Sequence, residues 1–357
     1  MEVNPILGVI LHAVGGLAAA SFYIPYKRVK GWSWEVYWLV GGFFSWIIAP
    51  WAFALIILPQ TPEILLASST SSVLWTIMFG AVWGIGGVTF GLAMRYLGIA
   101  LGYAIALGLC AAFGTLMPPL VQGDLGEIAQ TSSGQMVLFG VFVCLAGIAM
   151  SGKAGMRKEK ELTDEQKQQT VKEFNFAKGV GVALIAGLLS ASMAYAFAAG
   201  KPISDIALEK GAPTLWQNLP VLIVILFGGF LTNCVWCVGV AVKNKTAKQY
   251  IGQLEPGAER PKSLRWNYIF CGLAGLIWYF QFFFYGMGST QMGDYDFSSW
   301  TLHMASIIIF STIWGVFLKE WKGTSKATHL WMAAGLAVLI LSVIIIGYGN
   351  RLGVPGH

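Results

Sequence analysis

Ten stretches of roughly 20 apolar residues run through this 357-residue chain, each long enough to cross the hydrocarbon of a bilayer as a helix. They lie near residues 5–25, 35–58, 72–93, 98–121, 135–152, 177–198, 214–242, 266–288, 298–319 and 328–349. Lipid offers no water to backbone N–H and C=O groups, so each stretch must satisfy its own hydrogen bonds, and a helix does so within one segment. Only 11% of the residues are charged, against about 25% in a soluble domain, too few to build a water-facing surface. The 44 glycines suit close helix approach and the 15 tryptophans suit membrane interfaces. Pro50, Pro118 and Pro119 fall inside spans, where they mark kinks or broken turns. The expected fold class is an all-α polytopic membrane protein with ten transmembrane helices.

The formal net charge of +6 would point to nucleic acid if it formed one patch. It does not. Of the 23 Lys and Arg, all but Lys201, Lys210 and Arg351 fall in the odd-numbered connections between spans. Cytoplasmic loops carry the basic excess, so both termini are expected on the periplasmic side of a bacterial inner membrane, with the lipid bilayer as partner and no nucleic acid. The alternation also checks the span count, because a missed helix would move later basic clusters to the wrong side. The basic cluster Lys27, Arg28 and Lys30 follows the first apolar run, the reverse of the order in a cleavable signal.

Cys110, Cys144, Cys234, Cys237 and Cys271 all lie in apolar stretches, and the single C-x-x-C has no second pair. They read as small buried hydrophobes, with no metal or other cofactor expected. The chain has no G-x-x-x-x-G-K-[ST] and no hydrolase or kinase motif. That argues against an enzyme or a nucleotide-driven pump and leaves an ion gradient, or no energy source.

The longest charged stretch, residues 153–176, separates residues 1–152 from 177–357, with five spans on each side. It mixes acids and bases, and Thr163 with Gln166 has capping-box spacing, so a cytosolic linker or short helix is expected. Gly16-Leu17-x-x-Ala20-Ser21 in the first span recurs as Gly187-Leu188-x-x-Ala191-Ser192 in the sixth. Phe113-Gly114-Thr115 in the fourth is echoed by Phe310-Ser311-Thr312 in the ninth. A five-helix repeat has an odd number of spans, so its second copy sits inverted. Inverted repeats are the architecture of alternating-access carriers.

Polar groups inside spans are costly and usually functional. Here they are His12, Asn233, Gln281 and His303. A histidine can exchange a proton near neutral pH, whereas a structural one bonds a neighbouring carbonyl. Trp278, Gln281 and Tyr285 recur at i, i+3 and i+7, on one helical face. An indole, an amide and a phenol together suit a sugar, whose C–H face stacks on rings while amides bind hydroxyls; the alternative is a packing stripe. Lys27 and Glu35 flank the inner ends of the first two spans, as a gate pair or as interface anchors. Asp294 and Asp296 belong to an outer loop and read as solvated. Gly80, Gly84, Gly87 and Gly91 read as a close-packing stripe.

Several strings resemble one known family, the L-rhamnose–proton symporters of the drug/metabolite transporter superfamily. They include Tyr23-x-Pro25-x-Lys27, Trp32-Ser33-Trp34-Glu35, Trp83-Gly84-Ile85-Gly86, Met94-Arg95-Tyr96-Leu97-Gly98, Trp278-Tyr279-x-Gln281-Phe282-Phe283-Phe284-Tyr285, Ser299-Trp300-x-Leu302-His303-Met304 and Leu318-Lys319-Glu320-Trp321, together with His12. The resemblance covers nearly the whole chain; residues 153–176 and 245–262 diverge. It implies secondary active import of L-rhamnose, or of L-lyxose or L-mannose, by proton symport. Under it, His12 and His303 are the proton-coupling candidates, and Gln281, Trp278, Tyr279, His303 and Asn233 the substrate-binding candidates. A related 6-deoxy sugar or sodium coupling is compatible with the same strings. An exporter or exchanger of another metabolite, and a sugar sensor without transport, are the competing readings.

Overall fold

The computed structural model describes residues 3–97, 99–161, 176–253, 263–319 and 321–353. No β-strand occurs among them. Among the described residues, ten helical segments are long and apolar enough to span a bilayer: Pro5–Tyr26, Trp34–Ile57, Thr70–Phe90, Ile105–Gln122, Ser132–Lys158, Ala177–Glu209, Thr214–Asn244, Leu264–Ser289, Gly293–Phe317 and Lys326–Leu352. These are the expected ten. Most of the charged connection after the fifth span, with Thr163 and Gln166, lies outside the described residues.

Local chemistry sets where the helices bend. The first span is helical over Pro5–Ser21 and Tyr23–Tyr26 and breaks at Phe22. The sixth is helical over Phe176–Ser190 and Ser192–Ala199 and breaks at Ala191. In the second span a π-helical segment, Phe44–Ile48, leads directly into Pro50. Proline has no N–H to give the preceding turn, and a π turn absorbs that lost register. Pro118 and Pro119, by contrast, sit in the last turns of a helix that continues to Gln122, so no break occurs there. The fifth helix passes its apolar limit and runs from Ser132 to Glu161. Its tail consists mainly of Lys, Arg, Glu, Ala and Met, strong helix formers, and Lys158 and Lys160 complement the dipole in the last turn.

The chain forms two compact units. One comprises residues 1–17, 85–195 and 287–357, the other residues 18–84 and 196–286. Each draws on both halves of the sequence, and the dividing points fall inside the first, third, sixth and eighth spans. In the first unit the fifth and tenth spans pack through glycines. Gly140 faces Ile346, Gly147 faces Leu339, and Gly335 faces Ser151. Around them Val137, Val141, Met292, Leu302 and Ile346 form a buried cluster with Tyr295.

In the second unit the third and seventh spans cross at near backbone contact. A Cβ at Gly80 would land on the Ile225 carbonyl, and one at Gly228 on the Ile77 carbonyl. Only glycine permits that approach. Gly84 meets Gly229 in the same crossing, whereas Gly87 has open space. The packing stripe read from the sequence therefore holds for Gly80 and Gly84. Close by in the chain, Phe22, Tyr26, Trp32, Val36 and Val40 form an aromatic-rich core with Cys271 and Ala274.

Candidate functional site

In the first unit the two intramembrane histidines come together. His12, on the first span, and His303, on the ninth, have ring centroids 6.5 Å apart at an interplanar angle of 64°. Both are fully buried. A Cβ added at Gly288 would lie 2.9 Å from Cε1 and Nε2 of His12, so the glycine lets the end of the eighth span close over that ring.

The ninth span is pinned so that His303 keeps this position. Trp300, three residues earlier, donates its Nε1–H to the Cys110 carbonyl at 3.0 Å. Thr301 Oγ1 shares a 2.6 Å hydrogen bond with Thr115 Oγ1. Gly114 leaves room for the Trp300 indole against the fourth span, which gives the Phe113-Gly114-Thr115 string a packing role. At one end of the same span Ser299 Oγ donates to Asp296 Oδ1 at 2.9 Å. The Tyr295 hydroxyl is held by Ser133 and Thr131 at 2.5 and 3.1 Å. Asp294 is exposed, as expected of a loop carboxylate. Imidazole is the side chain whose ordinary proton exchange falls near neutral pH, and polar groups inside membrane helices are usually functional.

The second unit holds the other sequence-derived candidates. Trp278 packs edge-on against Trp46 with centroids 5.4 Å apart, and at a tilt against Trp83 at 5.7 Å. Gln281 is buried at 6% exposure. Tyr279 is fully buried, its ring between Phe53 and Phe283, and its hydroxyl has no hydrogen-bond partner among the described residues. Tyr285 packs at a tilt against Phe197, with centroids 5.2 Å apart. The face read from Trp278 to Tyr285 thus serves aromatic packing at both its ends.

Asn233 is engaged on all sides. Its amide nitrogen donates to the carbonyls of Gly229 at 2.9 Å and Gly84 at 3.4 Å, and its oxygen accepts from Trp38 Nε1 at 3.3 Å. That amide locks the third, seventh and second spans and orients Trp38. Glu35 is buried and accepts from Thr246 Oγ1 at 2.7 Å and Asn244 Nδ2 at 3.3 Å. Lys27 is exposed. Glu35 thus ties the start of the second span to the end of the seventh.

A small, partly open cavity of about 10 Å³ lies among these aromatics. Trp38, Gly42, Ser45 and Trp46 supply one wall from the second span, Phe22 and Tyr26 another from the first, and Gly275 and Trp278 a third from the eighth. The sequence reading passed over the second-span residues, although their i, i+4, i+7, i+8 spacing marks a single helical face. Two amide clasps also escaped it. Asn267 exchanges hydrogen bonds with the Lys30 backbone at 2.8 and 3.1 Å, and Gln249 does so with Ser33 at 2.7 and 2.9 Å.

The model of the L-rhamnose-proton symport protein family matches residues 1–351, nearly the entire chain. The chain belongs to that family. Among its relatives, an L-rhamnose-proton symporter of Yersinia pestis (strain Pestoides F) is 39% identical over 345 residues, 96% of this chain and 98% of the relative. One of Cronobacter sakazakii (strain ATCC BAA-894) is 38% identical over 346 residues, 96% and 97% of the two chains. As a member of the symport protein family, with ten apolar helices, the chain is a multi-pass membrane transporter rather than an enzyme.

Proposed function

We propose that this chain imports L-rhamnose with a proton, by alternating access, across a bacterial inner membrane. The observation that carries the coupling is the fully buried His12–His303 pair, centroids 6.5 Å apart. His12 and His303 hold the transported proton in turn with the sugar, and His303 also offers a hydroxyl partner. The sugar itself comes from the relatives named L-rhamnose-proton symporter, aligned over almost their full length. Gln281 supplies an amide for sugar hydroxyls, Trp278 and Tyr279 supply ring faces, and Asn233 acts by holding Trp38. Glu35 and Lys27 belong to the cytoplasmic edge, where opening and closing act.

Residues 1–152 and 177–357 are two inverted five-helix repeats joined by residues 153–176. Two features support this. The first helix of each half breaks near its recurring small-residue string, at Phe22 and Ala191. The dividing points of the compact units fall in the first and third helix of each half. The basic excess in the odd-numbered connections supports cytoplasmic loops there and periplasmic termini.

Binding of L-rhamnose to purified protein, measured at two pH values and two sodium concentrations, tests the choice of ion. Affinity should change with pH and ignore sodium; affinity that rises with sodium and ignores pH would replace the proton.

A further inference from the structure

The cavity in the second unit is too small for a hexose and about large enough for one methyl-sized group. L-Rhamnose is a 6-deoxy sugar, with a methyl at C6 where L-mannose carries CH2OH. We propose that this cavity is the subsite for the C6 methyl, and that the Trp46 indole N–H donates to a neighbouring sugar oxygen. The inference rests on the reading of L-rhamnose as cargo and deepens it.

Three observations carry it. The first is shape. Trp46 stands nearly perpendicular to Trp278, at 84° and 5.4 Å, and at 71° and 6.4 Å to Trp38, so the three indoles form a corner of aromatic faces. Such a corner favours an apolar C–H group and offers a CH2OH no replacement for its lost water. The second is an unused donor. Trp46 is 3% exposed, and its Nε1–H has no acceptor among the described residues. A buried indole N–H ordinarily finds a partner, because leaving it bare is costly. The third is that two polar groups on the second-span wall are already occupied. Ser45 Oγ donates to the Gly42 carbonyl at 3.3 Å, and Trp38 Nε1 donates to Asn233. Trp46 is thus a donor left for a ligand, and Asn233 is a positioning residue for the Trp38 wall.

The test is equilibrium binding of L-rhamnose and L-mannose to the purified full-length transporter, read by tryptophan fluorescence and by displacement of labelled L-rhamnose. The wild-type protein should bind L-rhamnose about 10- to 100-fold more tightly than L-mannose. Trp46→Phe keeps the ring and removes the donor, so it should weaken both sugars about 10-fold and leave their ratio unchanged. Trp38→Ala opens the cavity and should bring the ratio toward one. Equal affinity of the wild-type protein for the two sugars overturns the proposal. So does wild-type affinity in Trp46→Phe, the result for a cavity that holds only a water. If Trp46→Phe does not fold, the wild-type ratio and Trp38→Ala decide. Failure of the wild-type protein to bind L-rhamnose would instead sink the assignment of cargo.

Discussion

His12 and His303, 291 positions apart in the chain, meet as buried imidazoles 6.5 Å apart within one compact unit. The sequence placed each histidine a few residues inside its span. The contact between them arises because Trp300 and Thr301 fix the ninth helix against the fourth, and because Gly288 admits the His12 ring.

If the pair works as one proton site, its members cannot contribute independently. His12→Gln and His303→Gln should each abolish proton-driven accumulation of L-rhamnose in proteoliposomes, while counterflow exchange of labelled sugar persists. The double variant should be no worse than either single one, the non-additivity expected of residues in one unit. Gradient-driven uptake in both single variants would remove the histidines from coupling.

Gln281 is assigned to the sugar and not to the proton. Gln281→Ala should weaken L-rhamnose binding about 10-fold, the worth of a good hydrogen bond, by the same factor from pH 5.5 to pH 8. Binding isotherms across that range check it. A defect confined to one end of the range would move Gln281 into the proton path.

The helix crossing through Gly80 gives a matched pair for stability. Gly80→Ala drives a methyl into the Ile225 carbonyl and should cost about 1–3 kcal/mol, as overpacking does. Gly87→Ala meets nothing within 4 Å and should be neutral, or stabilise by up to about 1 kcal/mol through helix propensity. Thermal unfolding in detergent separates the two. Equal melting temperatures would remove the close crossing from the fold.

Glu161 gives a pH signature outside the membrane. Its carboxylate accepts from Ser325 Oγ and N, both at 2.6 Å, and from Thr328 Oγ1 at 2.7 Å, at the start of the tenth helix. Those bonds, the Ser325 hydroxyl first, pull its pKa from 4.5 down to about 2. A depressed carboxyl stabilises fully above its ordinary value and loses that contribution as pH falls from 4.5 toward 2. The melting temperature should therefore fall across this window in the wild-type protein and less in Glu161→Gln, which should already melt lower at pH 7. Parallel pH profiles would contradict this. The group is exposed, so the effect is small and weakened by salt.

The spans were legible because lipid imposes a length and a composition that few other structures share. The histidines and Gln281 were legible as polar groups in apolar helices. What the sequence hid are relations between helices. Trp38 and Trp46 share a helical face in the sequence, but only the cavity shows what that face meets. Asn233 reads as a substrate-binding candidate in the sequence, yet two backbone carbonyls and one indole occupy its amide. The tail of the fifth helix reads as linker by charge, but helix propensity carries it to Glu161. Spacing along a chain locates faces; it does not say which faces meet.

Proton-driven import of L-rhamnose rests on coupling between the sugar and the proton gradient. Uptake of labelled L-rhamnose into proteoliposomes, under an imposed inward proton gradient and without sodium, tests it most directly. Labelled sugar should accumulate above the external concentration, and a protonophore should abolish the accumulation. Saturable binding with no accumulation, or accumulation that requires sodium and ignores the proton gradient, would contradict it.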